Sequence, residues 1–276
     1  MGVFETMSVF PKIFGISMFP SVDLEDIDVI NSILNIFETK DHFKPTSWGN
    51  SEMVKVDYDR DEIKERMILQ QPRFSELYLQ RAQSIEYSGS FDLISNFRAY
   101  FGFDFKNIPK ELWSEIYELS ENIASIIKPR YGITHGFWPV STPWQTERDR
   151  LHKWMNFCSQ PAPVTFGPCG PLGMGTRTYF SGDILDLFNK EIFINIPANV
   201  TEMDWGGIRI DLVDKPWEAD ANELLDRWIC VMEYMEQYEV FAIPNFSKSK
   251  RSVSFNPNIA WERYLKNLQI LRQGGE

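Results

Sequence analysis

The sequence predicts an α+β fold, in which helices cover a mixed or antiparallel sheet. Apolar residues make up 43% of the 276 residues and aromatic residues 14%, which is enough to fill a sizeable core. Short runs typical of strands also alternate with longer runs whose apolar residues recur at helical spacing. We expect a single domain over residues 1–276, and halves at 1–158 and 176–276 are the alternative.

The N-terminal half predicts three strands, one hairpin and two helices. In chain order these are a strand at 12–18, a helix with Ser21 or Asp23 as its N-cap, a short strand near 53–58, a hairpin over 77–103 that turns at Ser88-Gly89-Ser90, a helix that starts at Pro109 and stops at Pro129, and a strand at 131–140.

The C-terminal half predicts a similar mixture of elements. In chain order these are a helix at 144–158, a loop at 159–175, a strand at 177–180, a helix at 183–190, a hairpin around Gly206-Gly207, a helix that Pro216 opens, and a terminal helix from Asn256-Pro257. The order strand, helix, hairpin, helix occurs at 12–127 and again at 177–237. Two related halves of this kind are therefore an alternative interpretation of the fold.

The charge of the chain limits the classes of partner. The net charge is −11, whereas binding to phosphates or to anionic lipids needs clustered lysine and arginine. We therefore expect neither nucleic acid nor membrane as a partner. An acidic surface favours encounter with a basic protein, although many proteins carry acidic surfaces for solubility alone.

The cysteine content and the hydropathy of the chain predict a cytoplasmic protein. An odd number of cysteines, three in total, is typical of a reducing compartment. No apolar run reaches the length of a membrane span, and no signal-peptide pattern precedes the first strand.

The sequence contains no credible catalytic or metal-binding pattern. The segment Gly167–Arg177 resembles a phosphate-binding loop, but it has no lysine at the required position and two prolines remove backbone amides. We expect it to be an ordered surface loop. His42, His135 and His152 have no helical metal-binding spacing, so we expect no metal, no cofactor and no enzymatic activity. A hydrolytic enzyme that uses His135 and a carboxylate is the alternative.

Two acidic segments are candidate docking surfaces for a basic partner. Asp57, Asp59 and Asp61 would share one side of a strand, because alternate residues of a strand point the same way. A second segment is rich in carboxylates, and its candidates are Asp204, Asp214, Glu218 and Asp220. Both segments are equally consistent with a merely solvated surface.

The motifs Gly175–Phe188 and Asp204–Leu212, followed by Pro216-Trp217 and a helix that carries Trp228, resemble immunity proteins of bacterial polymorphic toxin systems. Among such proteins, the chain resembles the immunity protein 52 family. The resemblance implies a cytoplasmic protein without a cofactor that neutralises a cognate toxin effector by binding it. A basic toxin, such as a nuclease, would suit an acidic binder. A scaffold or adaptor of a secretion system is a further alternative.

Overall fold

Ten strands form one sheet in the computed structural model of the protein, which describes residues 10–69, 75–93, 99–138, 169–188, 191–247 and 252–273. A separate hairpin, seven α-helices and a 3-10 helix at Lys110–Leu112 complete the architecture of these residues. The predicted α+β fold is confirmed. Every pair of neighbouring strands is antiparallel, so the sheet is antiparallel rather than mixed.

The helices and strands have the following bounds. The sheet strands are β1 (Ile13–Phe19), β2 (Ser47–Gly49), β3 (Val56–Asp57), β4 (Glu76–Ala82), β5 (Glu86–Asp92), β6 (Phe101–Lys106), β7 (Tyr131–Phe137), β8 (Arg177–Phe180), β9 (Asn199–Glu202) and β10 (Ile208–Asp211). The separate hairpin consists of β11 (Ile243–Ser247) and β12 (Ser252–Asn256). The helices are α1 (Ile27–Glu38), α2 (Arg60–Leu69), α3 (Trp113–Ile127), α4 (Gly182–Leu185), α5 (Ile192–Asn195), α6 (Ala221–Glu236) and α7 (Ile259–Gln273).

The order of strands across the sheet is β3-β2-β4-β5-β6-β1-β7-β8-β10-β9. Strand β1 therefore lies in the middle, paired with β6 on one side and β7 on the other. Both halves of the chain contribute strands to this one sheet, and they meet where β7 pairs with β8.

The first face is buried in both halves of the sheet, and the C-terminal half buries the second face as well. The alternation of side chains places Phe14, Ile16 and Met18 of β1 on the first face, where α1 and α3 pack against them. The second face is covered in the C-terminal half, where Trp228 of α6 and Trp261 of α7 join one apolar cluster with strand residues. No helix among the described residues is long and apolar enough to cross a membrane.

Several predicted elements are confirmed, and two predicted helix starts are wrong. The strands expected at 12–18 and 177–180 and the hairpin at Gly206-Gly207 are present. Helix α1 is capped by Asp26, whose carboxylate accepts from the Asp28 amide, rather than by Ser21 or Asp23. In the same way Asp220 caps α6, and Pro216 lies in a turn before it.

The prediction for residues 77–103 placed the hairpin turn wrongly. The chain turns at 83–85, whereas Gly89 lies in the middle of β5 and pairs with Phe103. A Cβ on Gly89 would lie 2.4 Å from the Phe103 ring. Glycine at this position therefore allows β5 and β6 to pack closely. The pattern Ser-Gly-Ser was therefore mistaken for a turn.

The described part of the glycine-rich segment is buried, which corrects the expectation of a surface loop. Residues 170–180 are all buried, and the last four of them form β8. Gly170 has a φ of +83°, and a Cβ there would lie 2.7 Å from the Trp261 indole. The Met174 carbonyl accepts from Trp228 Nε1 at 2.8 Å. Glycines in this segment thus allow indole rings to pack on the backbone. The helix expected at 144–158 lies outside the described residues.

Candidate functional site

The N-terminal half of the second face carries polar and small side chains. Strand register puts Asp57, Ser47, Gln80, Ser88 and Asp104 in one row across β3, β2, β4, β5 and β6. Cross-strand neighbours in such a row point to the same side of the sheet. We call the second-face side chains of β4, β5 and β6, together with Ser17 of β1, the polar face.

A recess of about 220 Å³ lies on the polar face. Its middle is built from small residues, Ser17, Ser88, Ser90 and Gly102, and larger side chains surround them. Tyr100 forms one wall, because a Cβ on Gly102 would lie 2.3 Å from its ring. Small residues beside large ones therefore create the depression.

The hydroxyl groups of two tyrosines that line the recess are held in place. The Tyr100 hydroxyl lies 2.9 Å from the Ser17 hydroxyl, and the Tyr78 hydroxyl donates to Glu76 at 2.7 Å. The bond to the Glu76 carboxylate raises the pKa of Tyr78, and burial raises the pKa of Tyr100. Both side chains are therefore neutral donors at physiological pH.

Asp104 is a half-buried carboxylate in the lining of the recess. No hydrogen bond or ion pair joins it to another residue in the part of the chain that the structure describes. Burial raises the pKa of Asp104, and the positive charge of Lys106 partly opposes that shift. The carboxylate is therefore incompletely solvated and has hydrogen-bonding capacity left over.

Asp57, Asp59 and Asp61 do not lie on one strand, so the prediction that they share a strand face is wrong. Asp57 ends β3 on the second face, whereas Asp59 accepts the amides of Asp61 and Glu62 at 2.8 and 3.0 Å. Asp59 is thus the cap of α2, a helix that the sequence prediction missed because its apolar residues are few. All three aspartates are exposed, and Asp57 is the one aligned with the polar face.

Asp204, Asp214, Glu218 and Asp220 are exposed near the opposite edge of the sheet. Asp204 belongs to the turn between β9 and β10, and Asp220 caps α6 by accepting the Asn222 amide. Glu218 pairs with Lys215 at 3.0 Å. Glu218 and Asp220 thus serve local structure.

The structure does not bring the two predicted acidic segments together. Strands β3 and β9 form opposite edges of the sheet. Nine strand spacings of about 4.8 Å each separate them by roughly 40 Å along the sheet. A single docking surface therefore cannot be centred on both segments, and only the segment at β3 adjoins the recess.

His135 lies in the sheet with no exposed surface. Its Nδ1 atom is 3.1 Å from the Thr176 amide, which donates to it. The ring also contacts Phe137 edge-on. This environment is that of a structural histidine rather than that of a base open to substrate. Within the described ranges, no group of His, Cys, Asp or Glu side chains is arranged to hold a metal ion.

A buried charge cluster on the first face joins α3 to the C-terminal strands. The Arg177 Nε atom donates to Asp211 at 2.6 Å, and its Nη1 atom donates to the Tyr117 carbonyl at 3.1 Å. Arg209 donates to Glu121 at 2.8 Å. The motif residues Arg177 and Asp211 are therefore structural, since buried charges are retained when they are paired.

The sequence prediction missed the recess, although one pattern pointed to it. Strand β6 alternates strictly between Phe and small or charged residues in the run Phe101–Lys106, which is typical of a strand with one polar face. The neighbours of Asp104 in other strands could not be predicted from the sequence, because local patterns do not determine which distant segments pair.

Comparisons with known proteins relate the chain to one named protein by fold. No protein-family model matches the chain, and no curated protein matches it in sequence. Among solved structures it is similar to the Pseudomonas aeruginosa T6SS protein PA0821, with a TM-score of 0.56 and 12% identity. The likeness covers 86% of this chain and 81% of that chain. At this identity it shows a shared fold alone, and the resemblance to the immunity protein 52 family stays a prediction.

Proposed function

We propose that this protein is an immunity protein that binds and neutralises a cognate bacterial toxin effector, in the cytoplasm and by protein–protein contact alone. The polar face carries this proposal, since it presents a recess with a carboxylate that lacks a partner among the described residues. Aligned carboxylates suit a basic protein surface, because opposite charges speed encounter and fix orientation.

Two further observations support the proposal. The net charge of −11 favours a basic partner. The P. aeruginosa protein that shares the fold is named as a T6SS protein, and we propose that this chain also serves a type VI secretion system. We propose no enzymatic activity and no cofactor, because the buried His135 offers no accessible base.

The test uses the toxin domain that this proposal expects to be encoded beside the gene. That domain is produced in a bacterial host with and without this protein, and growth is measured. The purified pair is then analysed by size-exclusion chromatography. We expect restored growth and a stoichiometric complex. Failure of both would reject the proposed function, and restored growth without a complex would reject neutralisation by binding.

A further inference from the structure

The recess on the polar face has the properties of a site for one cationic side chain. We propose that it binds the guanidinium group of an arginine on the partner toxin. This inference rests on the proposed function and makes it more specific, because it assigns a chemistry to the contact. The size, the charge and the aromatic walls of the recess each support it.

The size of the recess suits a side chain rather than a metabolite. Its volume is about 220 Å³, whereas sites for small molecules usually span about 300–1,000 Å³. Residues of β1, β4, β5 and β6 line it together with Tyr100, which precedes β6, and Glu52 reaches its rim from the turn between β2 and β3. The recess is therefore a shallow depression into which a protruding side chain can insert.

The charge of the recess suits a cation. Asp104 is half-buried in the lining and has no hydrogen-bond partner among the described residues, which costs solvation free energy. Lys106 lies two residues further along the same face but forms no ion pair with it. A guanidinium group would offer two parallel N–H donors to both carboxylate oxygens. Glu52 adds a second negative charge at the rim.

The aromatic walls favour arginine over lysine. A planar guanidinium group stacks on aromatic rings, whereas an ammonium group acts as a compact point charge. Tyr78 and Tyr100 both line the recess, and their hydroxyl groups are fixed by Glu76 and Ser17. Rings held in this way are organised before binding, which lowers the entropic cost of association.

A second recess among the described residues lacks this combination. It has a volume of about 260 Å³ and lies beside β9, where Asp214 and Glu223 line it. Arg227 also lines it and donates to the Pro197 carbonyl at 3.4 Å. That recess therefore already contains a cationic side chain from the protein itself.

The first experiment tests the chemistry without the toxin. Argininamide and lysinamide are titrated into the full-length protein, and backbone amide shifts are followed by NMR. We expect saturable shifts at Ser88, Gly102 and Asp104 with argininamide, and binding that is several-fold weaker with lysinamide. The Asp104→Asn variant should lose saturation, whereas Asp226→Asn, which removes an exposed charge on α6, should keep it. Shifts that are absent, or that persist in Asp104→Asn, would overturn the inference.

The second experiment uses the toxin domain encoded beside the gene. Asp104→Asn should bind it at least about tenfold more weakly than wild type, because one partner of a partly buried charge pair is removed. Asp226→Asn should bind it as wild type does, and thermal melts confirm that both variants are folded. Wild-type affinity in Asp104→Asn would overturn the assignment of the recess. A wild-type protein that binds no toxin would instead reject the proposed function, and the argininamide titration would still decide the chemistry of the recess.

Discussion

The second face of the sheet differs sharply between its two halves. In the C-terminal half, Trp228 and Trp261 from α6 and α7 pack over Tyr131 and Phe180 in a continuous apolar cluster. In the N-terminal half, the equivalent positions carry serine, glycine and Asp104, and a recess replaces the apolar packing. One half therefore supplies stability, whereas the other leaves hydrogen-bonding groups available to a partner.

Truncation of a large side chain should reveal the largest difference in stability between the two halves of the second face. Trp228 is almost fully buried and donates from its indole to Met174, so Trp228→Ala should reduce the free energy of unfolding by about 3–5 kcal/mol. Tyr78→Ala on the polar face should cost only about 1 kcal/mol. Urea denaturation of both variants measures the difference. Equal losses would contradict the assignment of stability to the covered half.

A glycine substitution in the covered half should have the next largest effect. Gly170→Ala combines a positive φ with a Cβ 2.7 Å from the Trp261 indole, so it should cost about 2 kcal/mol or more. Gly206 also has a positive φ but has no atom near a Cβ, so Gly206→Ala should cost about 1 kcal/mol. Thermal melts compare the two variants. If both lost the same amount, indole packing on this backbone would not be tight.

Replacement of Asp104 should change the free energy of unfolding least. At neutral pH it should raise that free energy, whereas the other substitutions lower it. Burial raises the pKa of Asp104 in the folded state, so the folded protein disfavours the charged form. Below the pKa of the unfolded chain the carboxyl is neutral in both states and Asp104→Asn should match wild type. As the pH rises through the raised pKa, wild type should lose stability relative to the variant. A pH series of thermal melts tests this, and a variant less stable than wild type at neutral pH would contradict it.

The sequence predicted local elements well because their causes are local. The short apolar run of β1 and the apolar stripes of α3 and α6 can be recognised without tertiary contacts. Helix α2 was missed because only Ile63 is buried in it, which leaves no apolar stripe. The hairpin β11–β12 was also missed.

The site was harder to predict because it depends on the order of strands in the sheet. Asp57 and Asp104 lie far apart in the chain but share one row, whereas Asp57 and Asp214 lie near opposite edges of the sheet. Charge counting therefore found both acidic segments and could not distinguish them. Asp104 is half-buried in a recess that small residues of neighbouring strands form, and the sequence does not reveal that these strands are neighbours.

The central claim is that the polar face, and not the opposite acidic edge, meets a basic toxin. The most direct test is stopped-flow association with the toxin domain encoded beside the gene, across a salt series. One double variant, Glu52→Lys with Asp57→Lys, reverses two charges at the rim of the polar face. A second double variant, Asp214→Lys with Glu218→Lys, reverses two charges at the other edge of the sheet. We expect the first pair to slow association about tenfold or more at low salt, and the second about twofold or less. The reverse order, or equal rates in both variants, would contradict the account.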